Sequence, residues 1–317
     1  MTSSKPSKTS YELAMPEEAK DRYVSMSNRL ARSAQGLNLA EKRLISLCLS
    51  ETDSVPQKKL FLATNAGWKV KVTAIAYAEA FDVHPTTAYE QLKSGAHNLF
   101  DRYVRYEIRG RQGKSQEVRF RWVSGAIYAE GEGAVELNFS PEIAPHLLGL
   151  RKQFTSYKLV HASAFDSVYA WRLYEILKSW QSTGLYRTSI EDFWEAMEAP
   201  PSCRKDFKAL RLRVIEPALE AINTKAGLNV VWTPVRKGAR RVTALEFRVT
   251  IDPQAKLDMG WVDGMADLDD IEDDIRDEQT AASDAQEGQA ADLKSSPSTG
   301  EDDPSIEIGG LSKIVGH

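Results

Sequence analysis

The chain carries five histidines and two cysteines, and their spacing decides which chemistries remain open. His84, His97, His146, His161 and His317 never fall within one helical turn of each other. That spacing rejects a helix-borne zinc pair. It also rejects the two-histidine metal site beside a tyrosine nucleophile that a strand-nicking enzyme needs. His84 and His97 read as capping or surface residues rather than ligands. GRQGKS (110–115) holds the Gly-Lys-Ser of a phosphate loop, but the earlier glycine it requires falls on Ile108. GEG (131–133) opens like a dinucleotide fingerprint, but Glu136 stands where its third glycine belongs. Acidic pairs such as Asp269 and Asp270 lie in a stretch with no scaffold to hold a metal. Cys48 and Cys203 are too few for a disulfide framework. Cys48 sits in an apolar helical pattern and reads as core. Cys203 lies near a helix start and reads as the more exposed of the two. The sequence therefore assigns no catalytic residue, no cofactor and no metal site.

Charge is the chemistry that is left. The 317 residues sum to a formal −4, a figure that hides two opposed regions. Residues 252–317 hold 18 Asp and Glu against four Lys and Arg, so they carry −14 and the preceding 251 residues carry +10. A basic body points to a polyanionic partner. The acidic tail moderates that contact or only keeps the chain soluble, and it is expected to be disordered. The length suggests two domains. No apolar run approaches 18 residues and no secretory leader is legible, so the chain reads as soluble, cytoplasmic and without a membrane partner.

The elements that must carry this charge are legible from periodicity. NLAEKRLISLCLSE (38–51) is a helix with Asn38 and Glu41 at capping-box spacing, and Leu39, Leu44, Ile45 and Cys48 share one face. TDSVPQ (52–57) breaks it, and WKVKV (68–72) alternates as a strand. Thr73 caps AIAYAEAF (74–81), with Ile75, Tyr77, Ala78 and Phe81 as its apolar set. After DVHP, Pro85 suits the first turn of a second helix, for which Thr87 and Glu90 offer another capping box. Tyr89, Leu92, Ala96, Leu99 and Phe100 form its buried face, opposite Thr86, Glu90, Lys93, Ser94 and His97. Val104, Tyr106 and Ile108, then Val118, Phe120 and Trp122, alternate with basic residues about a turn. That is a hairpin with one apolar and one basic face. Helix, turn, helix and basic hairpin make a winged helix.

The order then recurs. SAFDSVYAWRLYEILKSW (163–180) reads as a long helix and LYRT (185–188) as a strand. Ser189 caps IEDFWEAM (190–197), and residues 203–223 form the next helix. LNVVW (228–232) and VTALEFRVTI (242–251) make a second hairpin. Thr73, Tyr77 and Phe81 correspond to Ser189, Phe193 and Met197, each offset by 116 positions. This is a duplicated domain. Residues 125–160 join the halves through a strand, a short helix and another strand.

A winged helix lays its second helix in a major groove and its hairpin along the phosphates. In the second half Arg204, Lys205, Lys208, Arg211 and Arg213 cluster at the start of the long helix, with Leu210, Val214, Ala218, Leu219 and Ile222 inward. Pro217 is expected to kink or break that helix and aim the basic stretch separately. Arg236, Lys237, Arg240 and Arg241 mark the hairpin tip. The first half offers Thr86, Thr87, Glu90 and Lys93, which read base edges or touch backbone. Arg105, Arg109, Arg111, Lys114, Arg119 and Arg121 supply its charge, and its apolar surface is equally suited to a dimer interface. Two helices and two hairpins, basic in the same relative places, favour nucleic acid over a merely solvated face.

Several longer stretches carry a family resemblance. They are SNRLARSAQGLNLAEKRLISLCL, TAYEQLKSGAHNLFDRYVRY, RWVSGAIYAEGEGAVELNFSPEIAPHLLGLRKQFTSYKL and FDSVYAWRLYEILKSW, followed by DFKALRLRVIEPALEAINTKAGLNVVW. In their order and spacing, over about residues 25–250, the chain resembles the replication initiators of iteron-bearing bacterial plasmids. The fold class expected is α+β, two tandem winged-helix domains related by pseudo-symmetry. Its parts are a flexible segment (1–35), a first domain for dimerisation and DNA contact (36–160), a second that is the main DNA reader (161–251), and the acidic tail (252–317). The resemblance implies monomers on directly repeated double-stranded origin sites, melting of nearby DNA, and recruitment of a host initiator and helicase. It also implies homodimers that repress their own operator. One departure is KALRLR, where Leu210 and Leu212 interrupt the run of basic residues usual in the family's reader helix. A dimeric repressor with no initiator role is the main alternative, and a nicking enzyme a more distant one.

Overall fold

The computed structural model describes residues 19–51, 67–109, 114–129, 131–148, 150, 152–237 and 241–251. Arg111, Arg240, the break at 52–57, the start of the leading segment and the acidic tail lie outside them. Among the described residues no helix is long and apolar enough to cross a membrane.

The chain enters the fold earlier than the sequence suggested. Residues up to 35 read as a flexible segment, yet β1 (Tyr23–Ser27) pairs antiparallel with β7 (Phe154–Lys158), from Tyr23 opposite Lys158 to Ser27 opposite Phe154. Val24 and Met26 alternate into the core. Ser27 caps α1 (Asn28–Arg32), whose Leu30 and Ala31 are buried. Two apolar residues per strand face and a capped helix turn are enough to order a segment whose overall composition is polar.

The first winged helix is built on α2 (Leu39–Ser50), β2 (Trp68–Thr73), α3 (Ala74–Phe81) and α4 (Pro85–Leu99). Asn38 and Glu41 form the expected capping box, with Asn38 Oδ1 accepting from the Glu41 N–H at 2.9 Å and Glu41 Oε2 from the Asn38 N–H at 2.9 Å. Thr73 caps α3 through the Ala76 N–H. That cap phases the helix so that Tyr77, Ala80 and Phe81 turn inward. Ile75, half a turn away from Tyr77, points out and is 69% exposed, against its expected place in the core. Phe100, likewise expected inside, is 45% exposed.

The second winged helix repeats this plan. It comprises α7 (Val168–Lys178), β8 (Leu185–Ser189), α8 (Ile190–Ala196), a helical stretch described below, and β9 (Leu228–Lys237) with β10 (Arg241–Ile251). Ser189 caps α8 through the Asp192 N–H at 3.0 Å, as Thr73 caps α3. Tyr77 and Phe193 are both fully buried, and Phe81 and Met197 nearly so. The 116-residue offset is a structural equivalence.

Sheet pairing corrects the reading of the first wing. In the second half the sheet order is β8-β10-β9, so the strand before the helices pairs with the last strand of the hairpin. In the first half the equivalent order is β2-β6-β5, with β5 (Val123–Ala129) and β6 (Ala134–Phe139). The wing of the first half is therefore β5–β6. The alternating basic hairpin taken for it, β3 (Tyr103–Arg109) and β4 (Ser115–Arg121), is an inserted two-stranded ribbon with Val104 opposite Phe120 and Arg105 opposite Arg119. Both hairpins alternate, and alternation says which side chains share a face but not which strands pair. The ribbon reaches the other half through the Arg105–Glu195 ion pair at 2.8 Å. It also lies against α5 (Ala144–Leu147), where the His146 ring stacks 5.7 Å from Phe120.

Two helices are buried all round. Residues 41–50 of α2 and 170–177 of α7 are inaccessible, charged side chains included. The helix expected over 163–180 begins only at Val168, where Ser167 caps it through the Tyr169 N–H at 3.2 Å. Its buried Glu175 accepts from Lys42 Nζ at 2.7 Å and from the Tyr157 hydroxyl at 2.7 Å. Lys42 Nζ also donates to Gln35 Oε1 at 2.9 Å. Arg172 donates to the carbonyls of Ala31, Ser33 and Ala196, so one guanidinium ties the start of the chain to the end of α8. The Glu198 carboxylate then accepts from the Gln35 and Gly36 N–H groups. Reading 163–180 as one amphipathic helix does not reveal this network. The available signal was Lys42, Arg172 and Glu175 standing inside otherwise apolar runs.

His161, on α6 (Leu159–Ser163), is held down to about 4 by burial first, then by the charges of Lys178 and Lys158. Its folded-state value lies below the ordinary value near 6.5. The neutral form therefore stabilises the fold fully above pH 6.5, and that contribution is lost as pH falls toward 4. Between pH 7.5 and 5 the urea midpoint is expected to fall by the equivalent of roughly 1–3 kcal/mol, and His161→Gln should flatten that fall. An unchanged pH slope in the variant would show that the histidine does not carry it.

Candidate nucleic-acid interface

The basic helix of the second half is not one continuous rod. Asp206 adopts an extended backbone (φ −128°, ψ 109°) and separates α9 (Pro201–Lys205) from α10 (Phe207–Leu210). Its carboxylate accepts from the Lys208 N–H at 2.9 Å and so caps α10. A wide turn follows over Arg211–Ile215, in which the Glu216 N–H donates to the Arg211 carbonyl five residues back, and leads into α11 (Glu216–Lys225). This corrects the break expected at Pro217. A proline ring conflicts with the carbonyl four residues before it, and the widened turn relieves the conflict without interrupting the helix.

The break at Asp206 splits the basic cluster. Arg204 lies on α9, apart from Lys208, Arg211 and Arg213: it pairs with Glu195 and donates to the Ala199 carbonyl at 2.8 Å. Cys203, expected to be accessible, is buried, because Pro201 and Ser202 rather than it form the exposed turn. Lys208, Arg211 and Arg213 are exposed on the outer surface, opposite Leu210, Val214, Ile215, Ala218, Leu219 and Ile222. Arg211 Nε lies 3.4 Å from Glu216 Oε1, an exposed pair that water can replace. Lys205 is exposed on α9.

The second wing is longer than expected, running to Lys237. Its tip brings Lys237 opposite Arg241, and Arg236 opposite Val242, with a bulge between Val242 and Ala244. Arg241 is exposed, with Glu191 3.8 Å from its guanidinium. Trp232, Phe247, Phe193 and Tyr186 stack beneath the sheet, with centroids 5.7–6.4 Å apart, and fix the wing against α8.

In the first half, Asp82 takes the left-handed conformation (φ 48°) and turns the chain between α3 and α4. His84 Nδ1 accepts from the Thr86 N–H at 3.3 Å, so the helix starts at Pro85. Thr87 is already inside it, and the capping box expected from Thr87 and Glu90 does not form. Thr86, Thr87, Glu90 and Lys93 are exposed on one surface, and Lys93 Nζ lies 5.0 Å over the Tyr128 ring. The wing that accompanies this helix is acidic near its tip, where Glu132 pairs with Lys71 at 2.8 Å. The basic residues assigned to it lie on the ribbon instead. Arg119 stacks 3.9 Å over Tyr103, and Arg121 donates to the Phe100 carbonyl and pairs with Asp101 at 3.3 Å. Among the described residues the two halves are thus unlike in charge: Lys208, Arg211 and Arg213 on the helix and Arg236, Lys237 and Arg241 on the wing make the second basic, whereas the corresponding helix and wing of the first carry Glu90, Lys93 and Glu132. Among the described residues no cluster of His, Cys, Asp or Glu could hold a metal ion.

Family models of the initiator replication proteins match both halves, their WH1 domain over residues 23–178 and their WH2 domain over residues 189–249. The chain belongs to the initiator replication proteins. The resemblance read from its sequence is that family, and the two winged helices are its two domains. This initiator is 29% identical over 208 residues to an Escherichia coli protein known only as an uncharacterized 27.6 kDa protein, covering 65% of the present chain and 86% of the other. Its fold is similar to the crystal structure of Pi initiator protein in complex with iteron DNA, with a TM-score of 0.58 and 22% identity, over 74% of this initiator and 99% of that chain.

Proposed function

We propose that this initiator binds directly repeated origin sites of a plasmid as a monomer and reads them chiefly through its second winged helix. The observation that carries this reading is the charge asymmetry between the halves. An exposed helix face and the wing beside it are basic in the second domain, whereas the first domain's helix is nearly neutral and its wing acidic. Phosphates dominate protein–DNA affinity, so the second domain supplies most of it. The similarity to Pi, whose structure holds iteron DNA, supports iteron DNA as the ligand. Lys208, Arg211 and Arg213 enter the groove, and Arg236, Lys237 and Arg241 hold phosphate, with Lys205 beside them; Arg240, outside the described residues, is assigned to phosphate from its place in the sequence alone. Thr86, Thr87 and Lys93 make the lighter contact of the first domain. Arg119 and Arg121 on the ribbon and Arg204 on α9 are secondary, since they lie off the helix and wing of the second domain.

Binding and bending energy opens the origin without chemistry on the DNA. Host initiator and helicase act on the opened strand, and a homodimer represses the initiator's own operator. Footprinting with separated monomer and dimer fractions tests this. Regularly spaced direct repeats protected by monomer are the expected result. Protection of one inverted repeat by dimer alone would leave a repressor without an initiator role.

A further inference from the structure

Leu212 is 47% exposed at the centre of the basic surface just described. Its position follows from the helix geometry. Leu210 and Val214 on either side of it are buried, and so are Ile215 and Ala218. Leu212 therefore stands on the outermost ridge of the helix. Lys208 lies one turn before it, and Arg211 and Arg213 flank it, all three exposed. Leu210, Val214, Ala218 and Ile222 repeat every four residues on the buried side, and the wide turn at Arg211–Ile215 brings Ile215 to that side as well, which leaves Leu212 facing outward.

A single exposed leucine is ordinary on a protein surface. One flanked by three cations, with the Glu216 carboxylate one turn on paired to Arg211, is poorly placed for an apolar protein partner, which would have to desolvate those charges. The surroundings suit a polyanion that carries a small apolar group between its phosphates. Duplex DNA has one on its major-groove base edges, the C5-methyl of thymine.

We propose that Leu212 is a specificity-determining residue that packs against a thymine methyl group in the recognised duplex, between phosphates held by its basic neighbours. This rests on the reading of α10–α11 as the DNA-contacting helix. The basic residues then supply affinity at many sequences, and Leu212 selects a thymine at one position.

The test uses the full chain and a library of random-sequence duplexes, selected by binding, with each thymine of the enriched duplex then replaced singly by uracil. Uracil pairs as thymine does and lacks only the methyl. At one position the replacement should weaken wild-type binding about fourfold, the value of one buried methyl, and leave Leu212→Ala unaffected. The variant selected afresh should lose its preference at that base pair while keeping the rest of the sequence. Leu212 is half exposed, so the variant is expected to melt with the wild type. Equal sensitivity of wild type and variant to every uracil, or none in either, would overturn the proposal and leave the DNA reading intact. Failure of any sequence to be enriched would overturn the DNA reading and this proposal with it.

Discussion

Glu175→Gln is expected to lower stability by about 3–5 kcal/mol, the usual consequence of removing one partner from a buried ion pair. The side chain is isosteric, so the change leaves packing intact and isolates the charge. Lys42 Nζ sits within 2.7 Å of the carboxylate, and Arg172 Nη1 lies 3.5 Å from it, all fully enclosed. Without Glu175 the buried Lys42 ammonium keeps only the neutral Gln35 acceptor and faces the Arg172 guanidinium. Thermal midpoints should fall by roughly 6–20 °C. An exposed comparison, Glu136→Gln, breaks the Lys69 pair at 2.9 Å and should cost under about 1 kcal/mol. The loss should also depend on pH. Burial already holds Lys42 down to about 8, and the Glu175 charge is what opposes that shift. Losing the carboxylate lowers the folded-state value further below the unfolded one, so the unfolded chain binds more protons. The variant should regain stability as pH rises toward 9, more steeply than the wild type. A deficit no larger than that of Glu136→Gln would show that the network does not hold the two halves.

Lys208→Ala and Arg211→Ala should each weaken binding to the selected duplex by about 1–3 kcal/mol, and by more than they weaken random DNA, if each reads a base. Lys237→Ala should behave differently. At the wing tip it is placed to reach phosphate rather than a base, so it should reduce affinity for all sequences alike and lower the slope of log affinity against log salt by about one unit. Measuring both quantities for the three variants separates reader from anchor. Equal losses on selected and random DNA for Lys208 and Arg211 would move them to the backbone class. An unaltered salt slope for Lys237 would remove it from the interface. Arg204→Ala serves as the internal contrast. Its guanidinium is taken up by Glu195 and the Ala199 carbonyl, so it should disturb the junction between α8 and α9 more than DNA binding.

What the amino-acid sequence determined by itself was whatever depends on neighbours within a few residues. Asn38, Thr73 and Ser189 cap their helices as their side chains and spacing require, and the repeated cap-aromatic-apolar pattern at an offset of 116 marked the duplication. The basic residues that belong to the second domain were legible because charge needs no partner to be counted. Tertiary structure decided what depends on distant pairing. Which hairpin is the first wing followed from β6 lying beside β2, a register set across more than 60 residues that the alternation of β3 and β4 imitates equally well. Whether Lys42, Arg172 and Glu175 face water or one another followed from α2 and α7 meeting in the core. The fate of the basic cluster turned on one extended residue, Asp206, and one wide turn. The break separates Arg204, which pairs with Glu195, from the later cations, and the helix beyond it leaves Leu212 exposed among them, because each residue along a helix turns a side chain by about 100°.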